Sequence, residues 1–71
     1  MRTYYRYCTT MRPATIGAVP REGLIAVEDV KGFQVAPSGH MIYSVIDYNR
    51  PLTDEEVDQY ELEFLHCVAV V

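Results

Sequence analysis

Cysteine is scarce in this sequence, and the few potential metal ligands lack the spacing of a metal site. Only Cys8 and Cys67 occur, near opposite ends of the chain, whereas small disulfide-stabilised domains usually carry several bridges. Together with His40 and His66 they form no C-x₂-C or H-x₃-H pattern. We therefore expect two reduced, mostly buried cysteines, no metal site and no cysteine nucleophile.

Long hydrophobic runs are also absent. The longest apolar run, residues 67–71, is far shorter than the roughly 18 residues that a membrane-spanning helix needs. The first residues contain no apolar segment of the kind found in signal peptides. These absences predict a cytoplasmic protein that makes no membrane contact.

The chain is short, with 71 residues and a mass of 8.1 kDa. A chain of this size buries only about 60% of the surface that it exposes when unfolded. It has no room for a nucleotide-binding fold, a barrel or a two-lobed active site, and no residue pattern in it specifies a reaction. We therefore expect one domain over residues 1–71 that is not an enzyme and takes no cofactor.

Positive charge is in the minority and is unevenly distributed. The net charge is −4 and the isoelectric point is near 4.9, which disfavours non-specific binding to nucleic acid or to an anionic membrane. Residues 1–35 carry five basic and three acidic side chains, a net of +2, whereas residues 36–71 carry one basic and seven acidic side chains, a net of −6. This polarity points to a binding role.

Most of the chain has the composition of strands. Residues 3–10 are aromatic and β-branched, residues 24–30 follow Gly23, and residues 40–49 alternate without a wholly polar face, as in a central strand covered on both sides. That alternation places Ile42, Ser44, Ile46 and Tyr48 on one face. Two prolines and a glycine make residues 11–20 an extended, ordered loop.

One short helix is predicted after Pro51. Thr53 and Glu56 have the spacing of a capping box, and Leu52 and Val57 that of a hydrophobic staple. The helix should run from Asp54 to residue 60 or 61. With a last strand beginning at residue 62 or 64, the sequence predicts an α+β fold: a small antiparallel sheet of three to five strands with one short helix after Pro51.

The last strand leaves two arrangements open. Simple alternation would place Leu62, Phe64, His66, Val68 and Val70 on one face. As an inserted strand it would be part of the core. As an edge strand it would expose unpaired backbone groups, which favours a homodimer through the C-terminal strand.

The charge pattern predicts a surface that binds a protein partner. The proposed contact groups are acids of the helical segment and basic residues of the proline-containing loop, where Pro13 and Pro20 also lie. An acidic helix can complement a basic groove on a partner. The simpler interpretation is a solvent-exposed helix whose first-turn acids are stabilised by the helix dipole. The candidates are Asp54, Glu55, Asp58, Glu61, Arg12 and Arg21.

A less favoured alternative is a small nucleic-acid-binding module. Bases stack on aromatic side chains, and cationic side chains contact phosphates, so the Arg/Tyr-rich N-terminal strand and loop could supply both. The net charge of −4 argues against it. Its candidate residues are Arg2, Tyr4, Arg6, Arg12 and Arg21.

Several segments resemble small proteins of mobile elements that are related to the defence-against-restriction protein DarA. The resemblance rests on YYRYCTTMRP at residues 4–13, GAVPR at 17–21 and DYNRPLT at 47–53, followed by EEV at 55–57 and YEL at 60–62. It implies an accessory protein of a phage or integrative element with a role in anti-defence, since DarA itself protects incoming phage DNA from type I restriction. It implies no catalytic residue and does not extend beyond residue 62.

Overall fold

The computed structural model describes residues 2–70. Its strands β1 (Arg2–Thr9), β2 (Leu24–Asp29), β3 (Ser44–Tyr48) and β4 (Leu62–Val70) form one sheet in the order β2-β3-β1-β4. Every pairing is antiparallel, and helix α1 (Asp54–Gln59) connects β3 to β4. The predicted α+β fold is therefore confirmed.

The sheet is covered on both faces because its two central strands alternate apolar side chains. On the face that we call the helix face, Tyr7, Ile46 and Tyr48 pack with residues of the loop and of the α1 region. On the opposite face, which we call the hairpin face, Cys8 packs with Ala36 and Ile42 of the segment between β2 and β3. The central position predicted for the strand within residues 40–49 is confirmed.

Strand β3 begins four residues later than predicted, at Ser44. Residues 33–43 instead fold as a short hairpin over the sheet, in which Val35 bridges Met41 and the Ile42 amide donates to the Gln34 carbonyl. Ile42 consequently lies in the hairpin-face cluster, away from Ile46. The prediction that Ile42 shares a face with the rest of the strand is wrong, because regular alternation begins only at Ser44.

Strand β4 pairs with β1 alone and is an edge strand. A register shift places Phe64 opposite Tyr7 and His66 opposite Arg6, leaving Leu65 without a Cα partner. Because one extra residue reverses the alternation, Phe64 lies on the helix face whereas His66 lies on the hairpin face. The prediction of one shared face for residues 62, 64, 66, 68 and 70 is wrong for this reason.

One tyrosine hydroxyl and one serine fix the loop over residues 11–20 to the helix face. The Tyr48 hydroxyl donates to the Pro20 carbonyl at 2.8 Å, and the Ala14 amide donates to Ser44 Oγ at 2.9 Å. The loop is thus ordered, as predicted, although it also contains one turn of 3-10 helix at Ile16–Ala18.

The helical segments within residues 2–70 include none with the length and apolar character required to cross a bilayer.

Candidate interaction surface

The N-terminus of α1 is stabilised by local capping hydrogen bonds and by one hydrogen bond to strand β1. The Glu56 amide donates to Thr53 Oγ1 at 3.1 Å, and the Thr53 amide donates to Glu56 Oε1 at 3.0 Å, which completes the predicted capping box. The Leu52 amide donates to the Tyr7 hydroxyl at 2.8 Å. These contacts fix the direction in which the acidic helix leaves the sheet.

Glu56 is neutralised within the chain. Arg50 forms a two-pronged ion pair with it, at 2.8 Å from Nη1 to Oε1 and 2.9 Å from Nη2 to Oε2. The hydrogen bonds from Arg50, and then that from the Thr53 backbone, lower the pKa of Glu56 from 4.5 to about 2. Arg50 also donates from Nε to the Glu22 carbonyl at 2.9 Å. Glu56 is therefore structural and is not available to a partner.

The other acids of this segment remain turned to solvent. Asp54, Glu55, Asp58 and Glu61 are all exposed, and none of them has an ion-pair partner among residues 2–70. Asp54 and Asp58 are four positions apart and therefore share one side of the helix. Four of the six predicted partner-binding residues are thus brought together on one short segment.

A small pit joins the acidic segment to the loop. It has a volume of about 30 Å³ and is lined by Thr9, Met11, Arg12, Tyr60 and Glu61, together with loop residues. Arg12 and Glu61 were predicted to act from separate segments, and the fold places both on this pit. Arg21 is exposed in the turn that leads into β2 and does not line it.

Two features of the pit are visible only in the structure. Thr9 is 8% exposed and its Oγ1 has no hydrogen-bond partner among residues 2–70. Glu61 adopts a left-handed backbone with φ of 56° directly after the C-cap Tyr60, the position at which a left-handed residue commonly ends a helix. The sequence did not identify Thr9, Met11 and Tyr60 as residues of this surface. The position of Tyr60 beside the candidate residue Glu61 was the one local indication of its place there.

The residues of the nucleic-acid alternative are divided between the two faces. Arg2, Tyr4 and Arg6 alternate with the helix-face residues of β1 and lie toward the hairpin face, whereas Arg12 lines the pit. Arg6 is held by Asp47, with Nε 2.7 Å from Oδ1 and Nη2 3.0 Å from Oδ2. The Asp47 hydrogen bond raises the pKa of Arg6.

The cysteines differ in their surroundings. Cys8 is buried, as predicted, and burial raises its pKa to about 11, so the reactive thiolate is disfavoured. Cys67 is exposed, and its prediction as a buried residue is wrong because β4 lies at the edge of the sheet. Within residues 2–70, no three His, Cys, Asp or Glu side chains are grouped as metal ligands would be.

The chain matches one family model, described as defence against restriction A C-terminal, over residues 2–67. The match includes β1, α1 and most of β4, and so extends beyond the resemblance seen in the sequence. Comparison with the curated proteins and with the solved structures finds no match.

Proposed function

The chain belongs to the defence against restriction A C-terminal family, and we propose that it counteracts restriction as a non-enzymatic accessory protein of a phage or integrative element. It does so by binding a protein partner. The contact surface consists of Asp54, Glu55, Asp58 and Glu61, with Arg12 beside them on the pit.

The proposal rests on a contrast between Glu56, which forms an ion pair within the chain, and the neighbouring acids, which are exposed to solvent. The fold pairs Glu56 with Arg50 and leaves four nearby carboxylates exposed without a cationic partner among residues 2–70. A rigid acidic surface complements a basic surface on a partner, which raises the rate of association and selects the correct partner. Restriction proteins must bind DNA, and a basic surface of this kind is therefore the expected target.

Nucleic acid is the less favoured ligand. Arg6 is already held by Asp47, and Arg2 lies toward the hairpin face whereas Arg12 lines the pit.

A pair of charge reversals tests the acidic surface. Asp58→Lys with Glu61→Lys lies outside the first helical turn and therefore leaves the favourable acids at the helix N-terminus in place. We expect this double variant to lose about tenfold or more of the wild-type protection, because like charges in a complementary interface cost several kcal/mol. Protection is measured as the survival of unmodified plasmid DNA entering a host that carries a type I restriction system.

The matched control raises the net charge equally at exposed positions away from Arg50, with Glu28→Lys, Ile25→Lys and Phe33→Lys. It should retain protection. Equal loss in both variants would show that net charge matters and that the acidic surface does not. A wild-type chain without any protective effect would contradict the proposed role itself.

A further inference from the structure

The two edges of the sheet differ in how they are protected against pairing. Edge strands usually avoid association through short length, charged side chains, or bulges. Strand β2 has six residues, a register shift at its start, and Glu28 and Asp29 at its end. Strand β4 has nine residues, and the part that follows its bulge, residues 66–70, contains no Lys, Pro, Asp or Glu. The unprotected edge is therefore that of β4.

Residues 66–70 can pair with a second copy of themselves without placing any side chain on the wrong face. Their regular pairing with β1 puts Cys67 and Ala69 on the helix face, and His66, Val68 and Val70 on the hairpin face. A two-fold axis at Val68 sets His66 opposite Val70 and Cys67 opposite Ala69 of the second copy, each pair on one face. Agreement of faces requires an axis centred on a residue rather than between two residues, and Val68 is the central residue of the segment 66–70 that contains no acid.

The charge distribution also fits this two-fold arrangement. The acidic helical segment and Glu63 lie at the beginning of β4, whereas Arg2 pairs with Val70 at its end. Antiparallel strands that overlap at residues 66–70 direct the two acidic segments away from each other. Two copies, each with a net charge of −4, therefore meet through the segment that carries no acid.

We propose that the chain forms a homodimer by antiparallel pairing of residues 66–70 of β4 about a two-fold axis at Val68. The dimer contains one continuous eight-stranded sheet, a number within the usual range for open sheets. The two acidic segments lie at opposite ends of the paired β4 strands, so one dimer presents two separate copies of the partner-binding surface. This inference does not depend on the identity of the partner.

Light scattering after size-exclusion chromatography tests the edge that pairs. The wild-type chain should have the mass of a dimer, and Ala69→Lys should have that of a monomer because it places a lysine next to the two-fold axis in each paired strand. The matched control Ala26→Lys puts the same charge on the exposed β2 edge and should remain dimeric. Ala69→Thr, which keeps a good strand former without charge, should also remain dimeric.

A wild-type monomer at every concentration would overturn the proposal, as would a dimer that survives Ala69→Lys. Dissociation by Ala26→Lys alone would place the interface at β2 and would equally overturn it. Circular dichroism of each variant confirms that its sheet is intact.

Disulfide formation tests the register independently of any destabilising charge. In a Cys67→Ser background, Val68→Cys places two thiols opposite each other at the axis, within the Cα separation of about 4.4–6.8 Å that a disulfide requires. Oxidised glutathione should link this variant rapidly. The matched variant Ile25→Cys, in the same background and on the exposed β2 edge, should link slowly. Equal rates would overturn the register, and so would absence of linkage in Val68→Cys.

Discussion

Two buried hydroxyls face each other across strands β1 and β3, and their environments are opposite. Thr9 pairs with Ser44 in the register of the sheet. Ser44 Oγ donates to Asp29 Oδ1 at 2.8 Å and accepts from the Ala14 amide at 2.9 Å, whereas Thr9 Oγ1 has no partner among residues 2–70. Burial of a polar group without a hydrogen bond is unfavourable, so the two side chains should contribute to stability with opposite sign.

We predict that Thr9→Val raises the free energy of unfolding by about 1 kcal/mol or more, since it removes an unsatisfied hydroxyl while preserving shape. Ser44→Ala should lower it by about 1–3 kcal/mol, because the Ala14 amide loses its acceptor. Urea unfolding of the two variants beside the wild type measures both effects. Destabilisation by Thr9→Val would contradict this prediction, because it would mean that the Thr9 hydroxyl forms a hydrogen bond to water in the pit.

At the scale of the helix, the pair formed by Arg50 and Glu56 makes stability sensitive to acid. Glu56 has a pKa of about 2 in the folded chain, below its ordinary value of 4.5, so the folded state binds its proton less readily than the unfolded state. Its stabilising contribution is complete above pH 4.5 and is lost as the pH falls toward about 2.

We predict that Glu56→Gln is less stable than the wild type at neutral pH and that the difference shrinks between pH 4.5 and about 2. Glutamine can still accept from the Thr53 amide, so the comparison isolates the ion pair. Urea midpoints across this pH range measure the effect, with Glu55→Gln as the control because Glu55 is exposed in the same turn. A difference that stays constant with pH would exclude the ion pair as its cause.

The elements that the sequence predicted well are those determined by neighbouring residues. The capping box of α1 needs only Thr53 and Glu56, three positions apart, and the structure contains both of its hydrogen bonds. The faces of Ile42 and of the second half of β4 depend on pairing with distant strands. Neither the bulge opposite Arg6 nor the start of β3 at Ser44 has a local signal, so simple alternation gave the wrong faces.

The candidate surface was predictable in the same limited way. The exposure of Asp54, Glu55 and Asp58 follows from an amphipathic helix whose apolar positions face the sheet. The approach of Arg12 to Glu61 at one pit depends on how the loop folds over the helix face, which spacing in the sequence does not reveal. Likewise, the neutralisation of Glu56 depends on Arg50, which precedes the helix.

At the scale of the whole molecule, stability rests on a small number of side chains. The larger cluster on the helix face contains six buried residues, and the hairpin face adds three. Ile46 is fully buried in the central strand β3 and belongs to the larger cluster. A core of this size supplies only about 3–5 kcal/mol of stability to a chain of this length. A single substitution that leaves a large cavity in the core can therefore remove most of the free energy of folding.

We therefore predict that Ile46→Ala unfolds most of the protein at 25 °C, because truncating a fully buried isoleucine costs about 2–5 kcal/mol. Ile16→Ala makes the same chemical change at a side chain that is 60% exposed, and should alter stability by no more than about 0.5 kcal/mol. Circular dichroism and the dispersion of amide NMR signals distinguish the two outcomes. If Ile46→Ala remains folded with the stability of Ile16→Ala, the free energy of folding must be distributed well beyond these two clusters.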